Sequence, residues 1–182
     1  MKFQIIPFGK GKNRILFIHL KRPMKNGFAG MVTSNIFKDE RIAIMVDNEN
    51  TVTDYDFAGL TLTKTGFSSI NMDKEVFYGI KQGNPMARMI LFHELGHYYY
   101  GDLQNKDFKQ EEYQKRRENA IKNGGVVDEE VRADAFALNY LDLEYVTKAL
   151  EILKEKIQEK YGPDKDAELI IEEINIRMQK IS

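Results

Sequence analysis

Two histidines and a glutamate stand together in the pattern His93-Glu94-Leu-Gly-His97. On an α-helix, residues i and i+4 lie on one face about one turn apart, so His93 and His97 can both point a ring nitrogen at one metal ion. Glu94 is rotated by roughly 100° from His93. It is poorly placed as a third ligand, but it can reach a water molecule beside the ion. The pattern therefore predicts two metal ligands and one general base.

The composition restricts the ligands that such a site can use. The chain has 182 residues, no cysteine and three histidines, namely His19, His93 and His97. Any metal must therefore be held by histidine, aspartate or glutamate. Structural zinc sites usually close four protein ligands and often include cysteine, so a catalytic zinc site with an open position is favoured. The competing interpretation is that both histidines of the motif are ordinary packed or solvated helix residues.

A catalytic zinc needs a third protein ligand. One large class of HExxH proteins uses a histidine six residues after the second, and Leu103 at that position excludes this class. The remaining options are His19, which lies on a predicted strand, and a downstream carboxylate. Glu130 and Asp134 share a helix face, so one can bind the metal while the other accepts the distal N–H of a ligand histidine. They can also be read as a solvated acidic helix start.

The helix that carries these carboxylates is rich in small and apolar residues, which favours the metal-site interpretation. Alanine and phenylalanine fill positions 133, 135, 136 and 137 around Asp134. Such a helix is expected to pack closely and to be largely buried. A buried carboxylate pair is costly without a partner, and a metal ion with its histidines supplies one.

The elements that must position these residues change in type along the chain. Residues 1–75 read as β-rich, with short runs of β-branched and aromatic residues bounded by turn residues. The predicted strands are 14–20, 41–46, 60–63 and a weaker one at 67–72, with a turn at 64–66. From Asn84 onward the pattern is helical. Asn84-Pro85 is a helix start signal and Gly101 a stop, which predicts a helix over 85–100.

Downstream of Gly101 the sequence predicts a polar surface segment followed by three more helices. The segment is 102–125, and the helices are 129–141, with Asp128 as a candidate cap, then 143–161 and 166–181. Apolar residues recur three and four apart in the last two helices, which predicts that they form a hairpin. We therefore predict an α+β fold. It has a small N-terminal β-sheet, a zincin-type active-site helix, a second ligand-bearing helix and a C-terminal helical hairpin.

The pattern HELGH, followed about 30 residues later by Glu-x-x-Ala-Asp-x-Phe-Ala, resembles the gluzincin metallopeptidases and more closely the ImmA/IrrE family. The resemblance covers roughly residues 40–141. It implies that His93, His97 and Glu130 bind zinc, that Glu94 is the general base and that Asp134 orients a ligand histidine. Arg132 departs from the family pattern, which often has a second glutamate there. The resulting domain prediction is a zincin-like metallopeptidase domain over 1–141 and a packed helical hairpin over 142–182.

Charge and the N-terminal sequence bear on partners and location. Lysine and arginine number 27 against 28 acidic residues, a net charge of −1 that gives no argument for a nucleic-acid or membrane partner. The first residues show neither a signal peptide nor a membrane span, so a cytoplasmic location is expected.

The combined expectation is a zinc-dependent intracellular endopeptidase. The ImmA/IrrE resemblance implies a specific protein substrate such as a helix-turn-helix repressor. Residues 68–72 are predicted as an edge strand to which a substrate strand adds. Candidates for stabilising the oxyanion are Arg132 and the tyrosines at 98, 99, 100 and 140, without a choice among them. The alternatives are a non-catalytic zinc-binding regulatory module and a hydrolase of non-peptide amides.

Overall fold

A computed structural model describes residues 2–38, 40–47, 58–62, 68–102 and 109–182. The chain divides into two compact units, Met1–Ile90 and Leu91–Ser182. The first contains a β-sheet and one helix, and the second contains four helices and most of a fifth. The α+β class predicted from the sequence is confirmed. The predicted domain limits, 1–141 and 142–182, stay a prediction.

The sheet of the first unit has six strands in the spatial order β1-β2-β3-β4-β6-β5. Neighbouring strands are antiparallel, except that β4 and β6 run parallel. The strands are β1 Phe3–Phe8, β2 Ile15–Leu20, β3 Phe28–Thr33, β4 Arg41–Asp47, β5 Ala58–Leu62 and β6 Ser68–Asp73. Four of them, β2, β4, β5 and β6, match the predicted strands to within two residues. The predicted turn at 64–66 lies outside the described residues.

The prediction that 68–72 forms an edge strand is wrong. Strand β6 has β4 on one side and β5 on the other, so its backbone groups are engaged in both directions. Its serines, Ser68 and Ser69, are buried. The strand at this end of the sheet is β5.

Two strands were not predicted, and both have atypical sequences. Strand β1 is the other edge of the sheet, with exposed Phe3 and Ile5 and with Pro7, which only an edge strand tolerates well. Strand β3 contains Gly30, where a Cβ atom would lie 2.3 Å from the backbone oxygen of Ile18. Glycine is needed there because β2 approaches closely, yet glycine weakens a strand signal.

Helix α1, Lys74–Gln82, was also not predicted, and it packs against β4 and β6. It buries Val76, Phe77 and Ile80 on one side of a short helix that follows β6 directly. Helix α2, Pro85–Tyr100, matches the predicted limits. The Asn84 side chain accepts a hydrogen bond from the backbone N–H of Ala87 at 3.1 Å, which confirms its capping role.

The remaining helices belong to the second unit. They are α3 Gln110–Lys122, α4 Asp128–Ala137, α5 Leu143–Tyr161 and α6 Lys165–Ile181. Three of them, α4 to α6, begin within one residue of the predicted helices, although α4 ends four residues before its predicted end. Helix α3 lies within the segment 102–125 that was predicted as polar surface. Asp128 is the first residue of α4 and not its cap, a position that is held by Val127.

Helices α5 and α6 form the predicted C-terminal hairpin. Asp142 and Asp164 cap their N-termini, and Gly162, at a φ of 63°, ends α5. Helix α6 packs against α3, α4 and α5, and its Glu173 is wholly buried in an ion pair with Arg117 of α3. Among the described residues, no helix has the length and apolar character that a membrane crossing requires.

Candidate metal centre

The two histidines of the motif face the same point beside α2. Their Nε2 atoms lie 3.0 Å apart, as expected for ring nitrogens one helical turn from each other. Glu130 of α4 joins them, with Oε2 at 3.1 Å from His93 Nε2 and Oε1 at 3.6 Å from His97 Nε2. His93 and Glu130 are buried and His97 is partly exposed. All three side chains are thus largely enclosed by protein, with 5–13 % of each exposed.

This arrangement fits one metal ion. Nitrogen and oxygen ligands at about 2.1 Å from a tetrahedral ion lie roughly 3–4 Å from one another. The candidate ligand atoms of His93, His97 and Glu130 all lie within 4.8 Å of each other. Among the described residues, this is the group of histidine and acidic side chains whose spacing suits a metal ion. Of the two carboxylates predicted on α4, Glu130 is thus the one that points at the histidines.

A close contact between α2 and α4 brings Glu130 into range. A Cβ atom built on Gly96 would lie 2.7 Å from Ala133 Cα and 2.9 Å from Ala133 O. The helix backbones therefore approach more closely than any side chain at position 96 permits. Because Glu130 lies about one turn before Ala133, the same contact sets its distance from the histidines. This explains why a glycine, unfavourable in a helix interior, lies between the two ligands.

Asp134 supports His93 from the next turn of α4. Its Oδ1 lies 2.8 Å from His93 Nδ1. A carboxylate accepts hydrogen bonds, so the Nδ1 proton of His93 points at Asp134 and Nε2 is left for the ion. Arg177 of α6 contacts both oxygens of Asp134, from Nε to Oδ2 at 2.7 Å and from Nη2 to Oδ1 at 2.6 Å. The hairpin therefore reaches the metal centre.

His97 has a similar support that arises from the end of its own helix. Gly101, at a φ of 73°, turns the chain so that its N–H bonds Tyr98 O and the N–H of Asp102 bonds His97 O. This is a Schellman ending, which requires a residue in the left-handed conformation. It places Asp102 Oδ2 at 2.9 Å from His97 Nδ1, and Asp102 Oδ1 at 2.7 Å from Nη2 of Arg132. The Nδ1 atom of each candidate ligand histidine thus contacts a carboxylate, and each of these carboxylates contacts an arginine.

Tyr113 holds the third candidate ligand, Glu130. Its hydroxyl donates to Glu130 Oε1 at 2.5 Å. Burial and the charge of Glu130 both raise the pKa of Tyr113, so the phenol stays neutral and remains a donor. Helix α3, predicted as part of a polar surface segment, therefore contributes to the site.

The charges of the site are mutually dependent. Burial acts to raise the pKa of Glu130, but His93 and Arg117 hold it well below its usual range. Burial also acts to raise the pKa of Asp134, and Arg177 and His93 keep it low. Burial and Arg177 lower the pKa of His93, yet Glu130 and Asp134 outweigh them and raise it to about 10. The two carboxylates thus remain ionised, which is the form that supports a bound cation.

Two other residues considered for the site, Glu94 and His19, lie in different surroundings. Glu94 lies next to His93 on α2 and is 9 % exposed, so it belongs to the buried part of the helix that carries the ligands. His19 lies in the first unit, stacked on Phe17 with its ring edge to Phe77, and its Nδ1 contacts Leu20 O at 2.9 Å. Its partners are those of a core histidine, and it does not belong to the group whose spacing suits a metal ion.

Three supporting residues were not assigned to the site from the sequence. Asp102 had a local signal, because a carboxylate directly after a helix-ending glycine lies near the last turn of that helix. Tyr113 and Arg177 had none, since they lie 17 and 43 residues from their carboxylate partners. Comparison of the chain with protein-family models, with curated proteins and with solved structures gave no match to any of them.

Proposed function

We propose that this chain is a zinc-dependent endopeptidase. The observation that carries the proposal is the convergence of His93, His97 and Glu130 on one point, with Glu94 on the same helix as the two histidines. A structural site would not need the glutamate that follows the first histidine. A hydrolytic site does, because an attacking water must lose a proton.

Zinc is the metal that this donor set favours. Two imidazoles and one carboxylate without cysteine match the catalytic class of zinc sites, in which three protein ligands leave one position open. When bound, zinc polarises the scissile carbonyl and makes an adjacent water more acidic. The site meets the further requirement that ligand histidines be oriented through their distal nitrogens, by Asp134 and Asp102.

The protein groups then have separate tasks. Glu94 takes the proton of the attacking water and passes it to the leaving amine. Asp134 and Asp102 hold the two imidazoles in the tautomer that presents Nε2. Tyr113 holds one oxygen of Glu130, so that the carboxylate does not rotate freely.

The proposed substrate is a folded regulatory protein of the helix-turn-helix type, cleaved in the cytoplasm. The support is the resemblance of HELGH and the downstream Glu130 segment to the ImmA/IrrE family. A peptidase in that compartment must be selective to avoid general proteolysis. The proposal therefore includes poor activity on unfolded proteins such as casein.

The experiment that tests the proposed function separates metal binding from chemistry. Wild type and Glu94→Gln are compared for zinc content and for cleavage of casein and of a folded helix-turn-helix repressor, with products identified by mass spectrometry. Glu94→Gln should retain about one zinc per chain and lose hydrolysis, because the amide is not a base. The matched control is Glu129→Gln, whose side chain pairs with Arg116 at the surface, and it should behave as wild type.

Three results would contradict the proposal in different ways. Loss of zinc from Glu94→Gln would make Glu94 a ligand. Zinc binding without cleavage of any peptide bond by the wild type would favour the non-catalytic zinc-binding module. Rapid cleavage of casein at many sites would refute the selective substrate while leaving the peptidase assignment in place.

A further inference from the structure

Arg177 is the innermost charged residue that the hairpin contributes to the metal centre. It lies near the end of α6 and is 6 % exposed. Its guanidinium meets Asp134 as a two-pronged fork, with nitrogen–oxygen distances of 2.6 and 2.7 Å. Such a fork fixes the plane of a carboxylate, which a single-point cation does not do.

The plane of the Asp134 carboxylate matters for the metal site. The torsion that turns a carboxylate about its last bond is broad and roughly two-fold, so packing alone defines it poorly. Asp134 Oδ1 must stay 2.8 Å from His93 Nδ1 to orient the imidazole. Arg177 contacts Oδ1 and Oδ2 and also has Nη2 at 3.2 Å from His93 Nδ1. Because the Nδ1 proton of His93 is donated to Asp134, the guanidinium does not hydrogen-bond to the ring, so Arg177 holds the carboxylate and the carboxylate holds the imidazole.

We propose that Arg177 is a positioning residue of the metal centre, which acts through Asp134 to aim His93 at the ion. The C-terminal hairpin is then part of the site, because α6 supplies the arginine. The inference rests on the metal-binding half of the proposed function and does not depend on which bond is cleaved.

The corresponding arginine on the other histidine is not equivalent. The Arg132 side chain is 48 % exposed and meets Asp102 through one contact of 2.7 Å. The Asp102 carboxylate is buried, but solvent around the half-exposed guanidinium weakens the pair. Asp102 is already placed by the Gly101 turn, so its orientation depends less on an arginine. Arg132 therefore holds its carboxylate less firmly than Arg177 does.

Two other roles for Arg177 must be separated from positioning. As a cation near the ligands, with Nη1 at 3.6 Å from Glu130 Oε2, it would by charge alone oppose metal binding. As a buried anchor it could simply keep α6 docked. Arg177→Lys distinguishes the first role, because it keeps the charge and loses the planar fork. A double-mutant cycle with Asp134→Asn tests whether Arg177 acts through this carboxylate, and the spectrum of the Co²⁺ form distinguishes the second role.

The measurement is zinc affinity by competition with a chelating dye, on the full chain. Arg177→Lys should bind zinc about 10- to 100-fold more weakly than wild type, the range typical of groups that support metal ligands. In the Asp134→Asn background the same change should have no effect, because the carboxylate through which Arg177 acts is gone. Arg116→Lys, whose side chain is 56 % exposed and pairs with Glu129 at 2.8 Å outside the site, should stay within about threefold of wild type, as expected for an exposed pair.

A spectroscopic readout separates orientation from stability. With Co²⁺ in place of zinc, Arg177→Lys should shift the visible absorption bands, since the geometry of the His93 ligand changes. Ile174→Ala, which removes a buried apolar group of α6 and leaves Arg177 in place, should lower thermal stability without that shift. The same spectral change in both variants would make Arg177 a structural anchor only.

The zinc affinities of these variants decide whether Arg177 positions the metal centre. Wild-type zinc affinity in Arg177→Lys, or an equal loss with and without Asp134→Asn, overturns it. If Arg177→Lys does not fold, the neutral pair Asp134→Asn with Arg177→Gln replaces it. This double variant should match Asp134→Asn alone in zinc affinity, and a further loss overturns the inference. Failure of the wild type to bind zinc would instead refute the proposed function.

Discussion

Gly96→Ala tests whether the contact between α2 and α4 sets the geometry of the ligands. The new Cβ atom would lie 2.7 Å from Ala133 Cα and 2.9 Å from Ala133 O. Carbon atoms in contact normally stay about 3.5 Å or more apart, so the helices must separate by about 0.8 Å. Both atoms belong to the backbone, so a change of rotamer cannot remove the clash.

Two opposing effects decide the result. Alanine is about 1 kcal/mol better than glycine in a helix interior, which would stabilise α2. Overpacking a close contact costs about 1–3 kcal/mol, and here the cost falls on two backbones. Stability should therefore fall slightly or stay near that of the wild type. Metal ligands tolerate displacements of only about 0.2 Å, so moving Glu130 by several times that distance should weaken zinc binding about 10- to 100-fold.

The assay is zinc competition against a chelating dye, together with urea unfolding in excess chelator. Gly125→Ala is the matched control, because its Cβ atom would lie at an ordinary 3.5 Å from Ala120 O. That variant should keep wild-type zinc affinity. If Gly96→Ala binds zinc as the wild type does and is about 1 kcal/mol more stable, the close approach does not set the position of Glu130.

The other predictions concern the ligands and their supports. Glu130→Gln should lose most of the bound zinc in metal analysis, and full occupancy would point to another third ligand. Asp102→Asn should weaken zinc binding about 10- to 100-fold in dye competition, and an unchanged affinity would make its contact with His97 incidental. Zinc should displace about one proton from His93 of chelator-treated protein near neutral pH, because neighbouring carboxylates raise the pKa of this histidine to about 10. Affinity should therefore rise roughly tenfold per pH unit between about pH 6 and 8, and a calorimetric heat independent of buffer ionisation would contradict this.

Helix α2 shows what local sequence signals can predict. Its limits follow from Asn84, Pro85 and Gly101, and the spacing of His93 and His97 follows from helix geometry. These features depend on residues within a few positions of each other. They could be predicted because the physical causes lie inside the same short segment.

The less successful predictions involve partners that are distant in sequence. Whether the strand over 68–72 is an edge depends on where β5 pairs, and nothing within that segment specifies this. The choice between Glu130 and Asp134 as ligand was open on spacing alone, because both share a helix face. It depends on how α4 lies against α2, which follows from contacts such as that of Gly96 with Ala133.

The supports of the two ligand histidines differ in the length of chain that must be ordered to form them. Asp102 lies five residues from His97, whereas Asp134 and Arg177 lie 41 and 84 residues from His93. Local contacts form early in folding at low entropic cost, and distant ones must wait for loop closure. The orientation of His97 is therefore defined as soon as α2 and its C-terminal turn form, whereas that of His93 is defined only after α6 has docked. A firmly held metal ion would thus signal that this unit has finished folding.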